Sequence, residues 1–189
     1  MLVWGASTSV GTHAVQLAVN AGYRVVATAS ERNFPLVRGL GAAEVYDYHD
    51  RFVAADLVRA LRGHTLAGTV AIGRGSLTHA LRIARGSEGT RRVASAYPSP
   101  VTAVRAQLAR PYGVRVSAIW GGVPARTAVG PALYRDFLPT ALADGRYRPS
   151  PVAEVVGREL ADIPAGLARL RGGVSARKLV VSLEGSGRP

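Results

Sequence analysis

A short apolar run, Leu2–Trp4, ends in Gly5. The chain then reads Ala6-Ser7-Thr8-Ser9-Val10-Gly11 and passes straight into a segment with helical periodicity. No other stretch of the 189 residues constrains the fold as strongly. A strand of continuous apolar residues is buried on both faces, which requires a parallel sheet covered by helices on either side. Entering a helix within a few residues requires a sharp turn. Glycine adopts backbone angles closed to other residues, and it lets a second backbone come close.

The rest of the chain repeats that alternation. Ser9–Ala21 reads as a helix with Val10, Ala14, Leu17, Ala18 and Ala21 on one buried face, stopped at Gly22. Tyr23–Ala29, Glu44–Tyr48, Thr69–Ile72, Arg92–Ala96 and Val114–Trp120 read as further strands. Arg32–Leu40, Phe52–Leu61 and Leu77–Ala84 read as the helices between them, with Phe52, Leu57, Val58 and Leu61 apolar in the second. This order predicts an α/β fold, a doubly wound parallel sheet with right-handed crossovers. Residues 1–140 are expected to form that domain, and 141–189 a C-terminal segment of different character. In the latter, Tyr134–Ala143 and Leu160–Leu170 read as helices, Arg146–Val152 as extended and Leu179–Leu183 as a strand. The tail Glu184–Pro189 is expected to be disordered.

A strand–turn–helix of this kind is where a dinucleotide-binding fold holds a pyrophosphate. The first amides of the helix lack intrahelical acceptors and carry the positive end of its dipole. Gly5 and Gly11 permit close approach. Ser7, Thr8 and Ser9 offer hydroxyls, and Val10 lies on the first helical turn. The strict G-x-G-x-x-G spacing is absent, so the pattern also admits a plain turn in which Thr8 or Ser9 only caps the helix. About twenty residues on, the second strand ends in Ser30-Glu31-Arg32-Asn33. An acid at the strand end selects the free ribose of NAD, whereas basic and polar groups accept the 2′-phosphate of NADP. Ser30, Arg32 and Asn33 suit the phosphate, and arginine can grip it through two donors. The competing reading takes Glu31 as the ribose acid. Tyr48, after the third strand, is a candidate for the adenine or ribose, or a half-buried surface tyrosine. Gly73 closes the fourth strand.

Composition narrows the function classes. There is no cysteine, which removes disulfides and thiolate chemistry and fits a cytoplasmic protein. The net charge of +12 raises nucleic-acid binding. The arginines are scattered, however, with Arg91-Arg92 the one adjacent arginine pair and no stacking aromatics between them, so no nucleic-acid partner is expected. No apolar run approaches the ~20 residues of a membrane span, so no membrane partner is expected either. His13, His49, His64 and His79 show no metal-ligand spacing, and no G-x-S-x-G nucleophile motif occurs. Lys178 lies in an expected strand and is a poor Schiff-base candidate. No catalytic residue can be named.

Leu2–Gly11 followed by His13-Ala14-Val15-Gln16-Leu17-Ala18 resembles the medium-chain dehydrogenase/reductase superfamily, in its zinc-independent quinone- and enoyl-reductase-like branch. Thr28-Ala29-Ser30 with Asn33 agrees with that likeness. So do Leu40-Gly41-Ala42-Ala43-Glu44-Val45 with Asp47-Tyr48, and Gly172-Gly173-Val174-Ser175 with Lys178-Leu179-Val180-Val181. The resemblance implies a Rossmann-like fold that binds NADP(H) through the Ser/Thr-rich turn, with the positions of Ser30, Asn33 and Tyr48 at the adenosine phosphate end. It implies hydride transfer to a small activated alkene, enone or quinone. It also implies a homodimer paired along the strand near Val114–Trp120, whose end at Ile119–Gly122 would face the nicotinamide. Two departures stand out. The barrel-like catalytic domain that precedes this part in the family is expected to be absent, which leaves open a cofactor-binding remnant, or a subunit needing that domain in trans. The fourth strand reads Val70-Ala71-Ile72-Gly73, with the family's glycine but without its aspartate.

Overall fold

Residues 1–97, 99–122 and 126–183 are described in a computed structural model. Six parallel strands form one sheet: β1 (Leu2–Trp4), β2 (Val26–Ala29), β3 (Glu44–Asp47), β4 (Thr69–Ala71), β5 (Arg92–Ser95) and β6 (Arg115–Ala118). Their order is β3-β2-β1-β4-β5-β6, with β1 paired to β2 and β4 in register, Val3 opposite Ala27 and Val70. The expected doubly wound sheet is therefore present.

Alternation along β1 divides the core. Val3 points to one side, where it packs with Val15 of α1 (Ser9–Asn20) and Val37 of α2 (Phe34–Gly39). Leu2 and Trp4 point to the other, against Val53, Ala54 and Leu57 of α3 (Val53–Ala60). A third cluster joins Ala71 and Val93 to Leu77, Ala80 and Ala84 of α4 (Ser76–Gly86) and Ala109 of α5 (Pro100–Ala109). Complete burial of a side chain such as Leu57 stabilises the fold by about 1.5–3 kcal/mol.

Several local expectations need correction. The buried residues of α1 are Gly11, Thr12, Val15, Gln16 and Ala18, so the helix is rotated from the face expected, and Val10 is 52% exposed. The reason is the Arg146–Ser150 segment, which runs across α1 and needs polar partners. Thr12 Oγ1 donates to the Ser150 carbonyl at 3.0 Å, and Gln16 Nε2 to that of Arg148 at 3.1 Å. Arg148 N–H donates back to Gln16 Oε1 at 2.8 Å, and Asn20 Nδ2 reaches the Arg146 carbonyl at 3.0 Å. These three side chains recur every fourth residue and form a polar stripe that binds backbone. Phe52 lies just before α3 and is 56% exposed. Helix α5 was not expected at all. Its start was legible: Ser99 caps it, accepting from Thr102 N–H at 3.1 Å, and Pro100 occupies the first turn.

Beyond β6 the helical turn α6 (Val129–Pro131), the wider-wound stretch Ala132–Phe137 and α7 (Leu138–Ala143) follow one another, so position 140 falls inside a helix. A strand not foreseen, β7 (Ala153–Gly157), pairs in parallel with β8 (Lys178–Val181) around α8 (Ile163–Arg171). The tail Glu184–Pro189 lies outside the described residues. Among the described residues no helix is long and apolar enough to cross a membrane.

Candidate functional site

The strand order places the start of the chain at the centre of the sheet. The chain winds outward from β1 to β3, then crosses back to β4 on the other side of β1. Helices on the two sides of that reversal leave a crevice at the carboxyl ends of β1 and β4, the position at which open α/β sheets bind ligands. The Gly5–Gly11 turn lies there.

Gly5 takes the left-handed conformation, φ +82, and a Cβ on it would stand 2.8 Å from the Ile72 carbonyl oxygen. Two bonds from β2 fix the turn: Gly5 N–H donates to Thr28 Oγ1 at 3.1 Å, and Ala6 N–H to the Thr28 carbonyl at 2.8 Å. Thr28 is fully buried, so its hydroxyl is a structural post under the turn. Thr8 caps α1. Its hydroxyl accepts from Gly11 N–H at 3.0 Å and donates to the Gly5 carbonyl at 2.8 Å. That assigns Thr8 the capping role and leaves Ser7 and Ser9 as the hydroxyls without a bond to a described residue. The amides of Ser9 and Val10 likewise have no acceptor among the described residues, as expected for a helix start. Gly11 closes the turn: a Cβ there would meet Ala6 Cα at 2.7 Å and come closer still to the Gly5 carbonyl oxygen. The twelve-residue α1 is thus pressed onto the turn, end-on to the crevice.

At the neighbouring strand ends the polar residues divide by role. Ser30 caps a short 3-10 turn, Glu31–Asn33, in which Glu31 and Arg32 are exposed. Arg32 forms no ion pair with a described residue. Asn33 is buried, and its Nδ2 donates to Ser175 Oγ at 3.0 Å, with a longer contact to Ser30 Oγ at 3.4 Å. It ties the C-terminal loop to the end of β2. Tyr48 is 39% exposed and leans on His49, ring centres 4.1 Å apart. The adjacent Asp47 accepts from His49 N–H at 3.0 Å, which chiefly holds its carboxyl below the usual range. Gly73, φ +93, follows β4 and opens toward β5.

Two histidines flank this framework. Nδ1 of His13 on α1 is 2.7 Å from Tyr147 Oη, and burial, then the charge of Lys178, push its pKa down. His79 on α4 stacks on Trp4, centroids 4.6 Å apart; burial, then Arg82, push its pKa down as well. Among the described residues no three His, Cys, Asp or Glu side chains gather as a metal site would require.

The turn fits a diphosphate. It offers amides and two hydroxyls without partners among the described residues, the positive end of a helix, and glycines where a side chain would block approach. Ser30, Arg32 and Tyr48 follow the carboxyl ends of β2 and β3, and Gly73 follows that of β4.

No family model matches the chain. The dehydrogenase pigH of Monascus ruber is 38% identical over 202 residues, a match covering 97% of this chain and 55% of that protein. The trans-enoyl reductase himH of Aspergillus japonicus is 34% identical, covering 98% and 53%. Among solved structures, a quinone oxidoreductase of Pseudomonas syringae superposes with a TM-score of 0.71 at 20% identity, covering 96% of this chain and 55% of that one. The chain spans about half the length of the curated relatives it matches. Over that half, the nucleotide-binding part, it resembles the medium-chain dehydrogenase/reductase superfamily.

Proposed function

We propose that the chain binds NADP(H) across the β1–β4 crevice and is the cofactor-binding part of an oxidoreductase that reduces a small activated alkene, enone or quinone. The observation that carries this reading is the packing of Gly11 onto Gly5 and Ala6, which brings the start of α1 within reach of a diphosphate. The printed activities of the relatives, dehydrogenase and trans-enoyl reductase, support the reaction class.

When bound, the nicotinamide supplies the hydride. The amides of Ser9 and Val10 and the hydroxyls of Ser7 and Ser9 bind the pyrophosphate. Ser30 and Arg32 bind the 2′-phosphate, with Tyr48 beside the adenosine. Asn33 positions this corner through Ser175. Gly73 leaves room for the nicotinamide half. None of these groups needs to move a proton.

A second reading, a unit that binds the cofactor but turns over nothing alone, is favoured by Val152, Val155, Leu160 and Leu167, which stand 59%, 54%, 67% and 49% exposed around the β7–β8 pair. An apolar surface of that kind is normally covered. Steady-state assays with enones and quinones separate the two readings, since the second predicts stoichiometric NADPH binding without turnover. Strand β6 ends the sheet with no neighbour on its outer edge among the described residues, and we propose pairing of two copies along it; sedimentation of the full chain should then give a dimer mass.

Arg32→Glu tests the cofactor preference. It puts a carboxylate where the 2′-phosphate would lie, and should weaken NADPH by roughly tenfold or more while sparing NADH. Fluorescence titration with both nucleotides reads this out. Equal loss for the two would remove Arg32 from the site.

A further inference from the structure

A cavity of about 460 Å³ opens beside the crevice, at the carboxyl ends of β4 and β5 and between the starts of α4 and α5. It continues the candidate site sideways, because Gly73 on its rim follows Ile72, whose carbonyl abuts Gly5. Two arginines line it, Arg74 and Arg105, and among the described residues no acidic one does. Neither forms an ion pair with a described residue. Arg105 Nη1 donates to Thr78 Oγ1, which anchors one arm of the fork and leaves the other donors free.

The polar walls are mostly self-satisfied. Ser76 Oγ donates to the Gly73 carbonyl at 2.7 Å, and Thr102 Oγ1 to that of Tyr97 at 2.9 Å. Ser95 is the exception. It is fully buried and lines the cavity, yet its Oγ meets only the Tyr97 N–H, at 3.4 Å, and its hydrogen has no acceptor among the described residues. Two arginines on one space, with no carboxylate of a described residue among them, call for an acceptor that carries negative charge.

We propose that this cavity is an oxyanion site, taking a carboxylate or phosphate group held by Arg74 and Arg105. That the group belongs to the substrate, whose reactive carbons would then lie toward Gly73, rests on the cofactor reading above. The site differs in chemistry from the turn, which holds a diphosphate with amides and hydroxyls. Here two side-chain cations do the holding, so binding should weaken as salt rises.

The test uses the full chain, with and without saturating NADPH, titrated calorimetrically with inorganic phosphate, crotonate and neutral methyl crotonate. The expected result is saturable binding of an anion, with the neutral ester at least ~10-fold weaker. Phosphate above crotonate assigns a phosphate ester, and the reverse a carboxylate. The double variant Arg74→Gln/Arg105→Gln should lose ~100-fold in anion affinity, about tenfold per arginine, whereas Arg74→Lys/Arg105→Lys keeps most of it. NADPH affinity and melting temperature should stay unchanged in both. Anions binding no better than the neutral ester would overturn the proposal, as would a glutamine variant that keeps them. A glutamine variant that loses NADPH instead would give the cavity to the cofactor. If the wild type binds anions through these arginines but not NADPH, the oxyanion site stands and the cofactor reading falls.

Discussion

Gly11→Ala should lower the melting temperature by roughly 5–10 °C, the effect of ~1–3 kcal/mol of overpacking on a domain of this size, and should abolish nucleotide binding with it. Ordinary helix propensity predicts the opposite sign, because alanine is favoured over glycine inside a helix by about 1 kcal/mol. Packing overrides propensity here because the obstacle is backbone. The new methyl would run into the Gly5 carbonyl and Ala6 Cα, and Ala6 is itself fully buried. Neither can swing aside as a flexible side chain would, so α1 must back away from the turn. Gly166→Ala in α8 is the control. Its Cβ would meet only Val156 Cγ2, at 3.4 Å, an ordinary contact, and that variant should be neutral or slightly stabilised. Thermal unfolding of the two proteins side by side decides the point. A stabilised Gly11→Ala would mean that α1 is not pressed onto the turn.

Gln16→Leu should release the C-terminal segment without unfolding the sheet. Gln16 is 3% exposed and holds Arg148 through both its carbonyl and its amide. Leucine matches it in bulk and removes every one of those bonds. A buried polar group left unpaired costs about 1–3 kcal/mol, and two are at stake, less whatever water recovers at the exposed Arg148. The loss should be local. Amide exchange should accelerate by one to two orders of magnitude at Arg148 and its neighbours, at about 1.4 kcal/mol per factor of ten, while β1, β2 and β4 stay protected. Exchange unchanged at Arg148 would show that the segment is held by something other than the polar stripe of α1.

The same two residues show what the sequence does and does not reveal. The central strands β1, β2 and β4 are legible because each is a short, largely apolar run, whereas β3, β5 and β6 are read from a β-branched or aromatic centre between turn signals. The turn is legible because glycines bracket a hydroxyl-rich stretch at a strand–helix junction. Thr8 as cap rather than ligand is harder to read, since a hydroxyl that bonds backbone and one that bonds phosphate have the same letter. The rotation of α1 is hidden for a related reason. Thr12, Gln16 and Asn20 are polar, and Thr12 and Gln16 bury their side chains only because the backbone of Arg146–Ser150, more than a hundred residues away, is laid along all three. Asn33 is a similar case. The family likeness puts it at the adenosine phosphate end, and its amide is already engaged by Ser175. The cavity joins Arg74, in the loop after β4, to Arg105 on α5, with α4 and β5 between them in the chain, so no local spacing could announce it.

The central claim is that the Gly5–Gly11 corner collects a diphosphate at the carboxyl edge of the sheet. Amide chemical shifts of the isotope-labelled chain, followed by NMR during titration with NADPH, test it most directly. The account predicts saturable changes largest at Ser7, Ser9, Val10 and Gly11, with smaller ones at Ser30, Arg32 and Gly73. Unmoved signals at those four amides, while NADPH binds elsewhere or not at all, would contradict it.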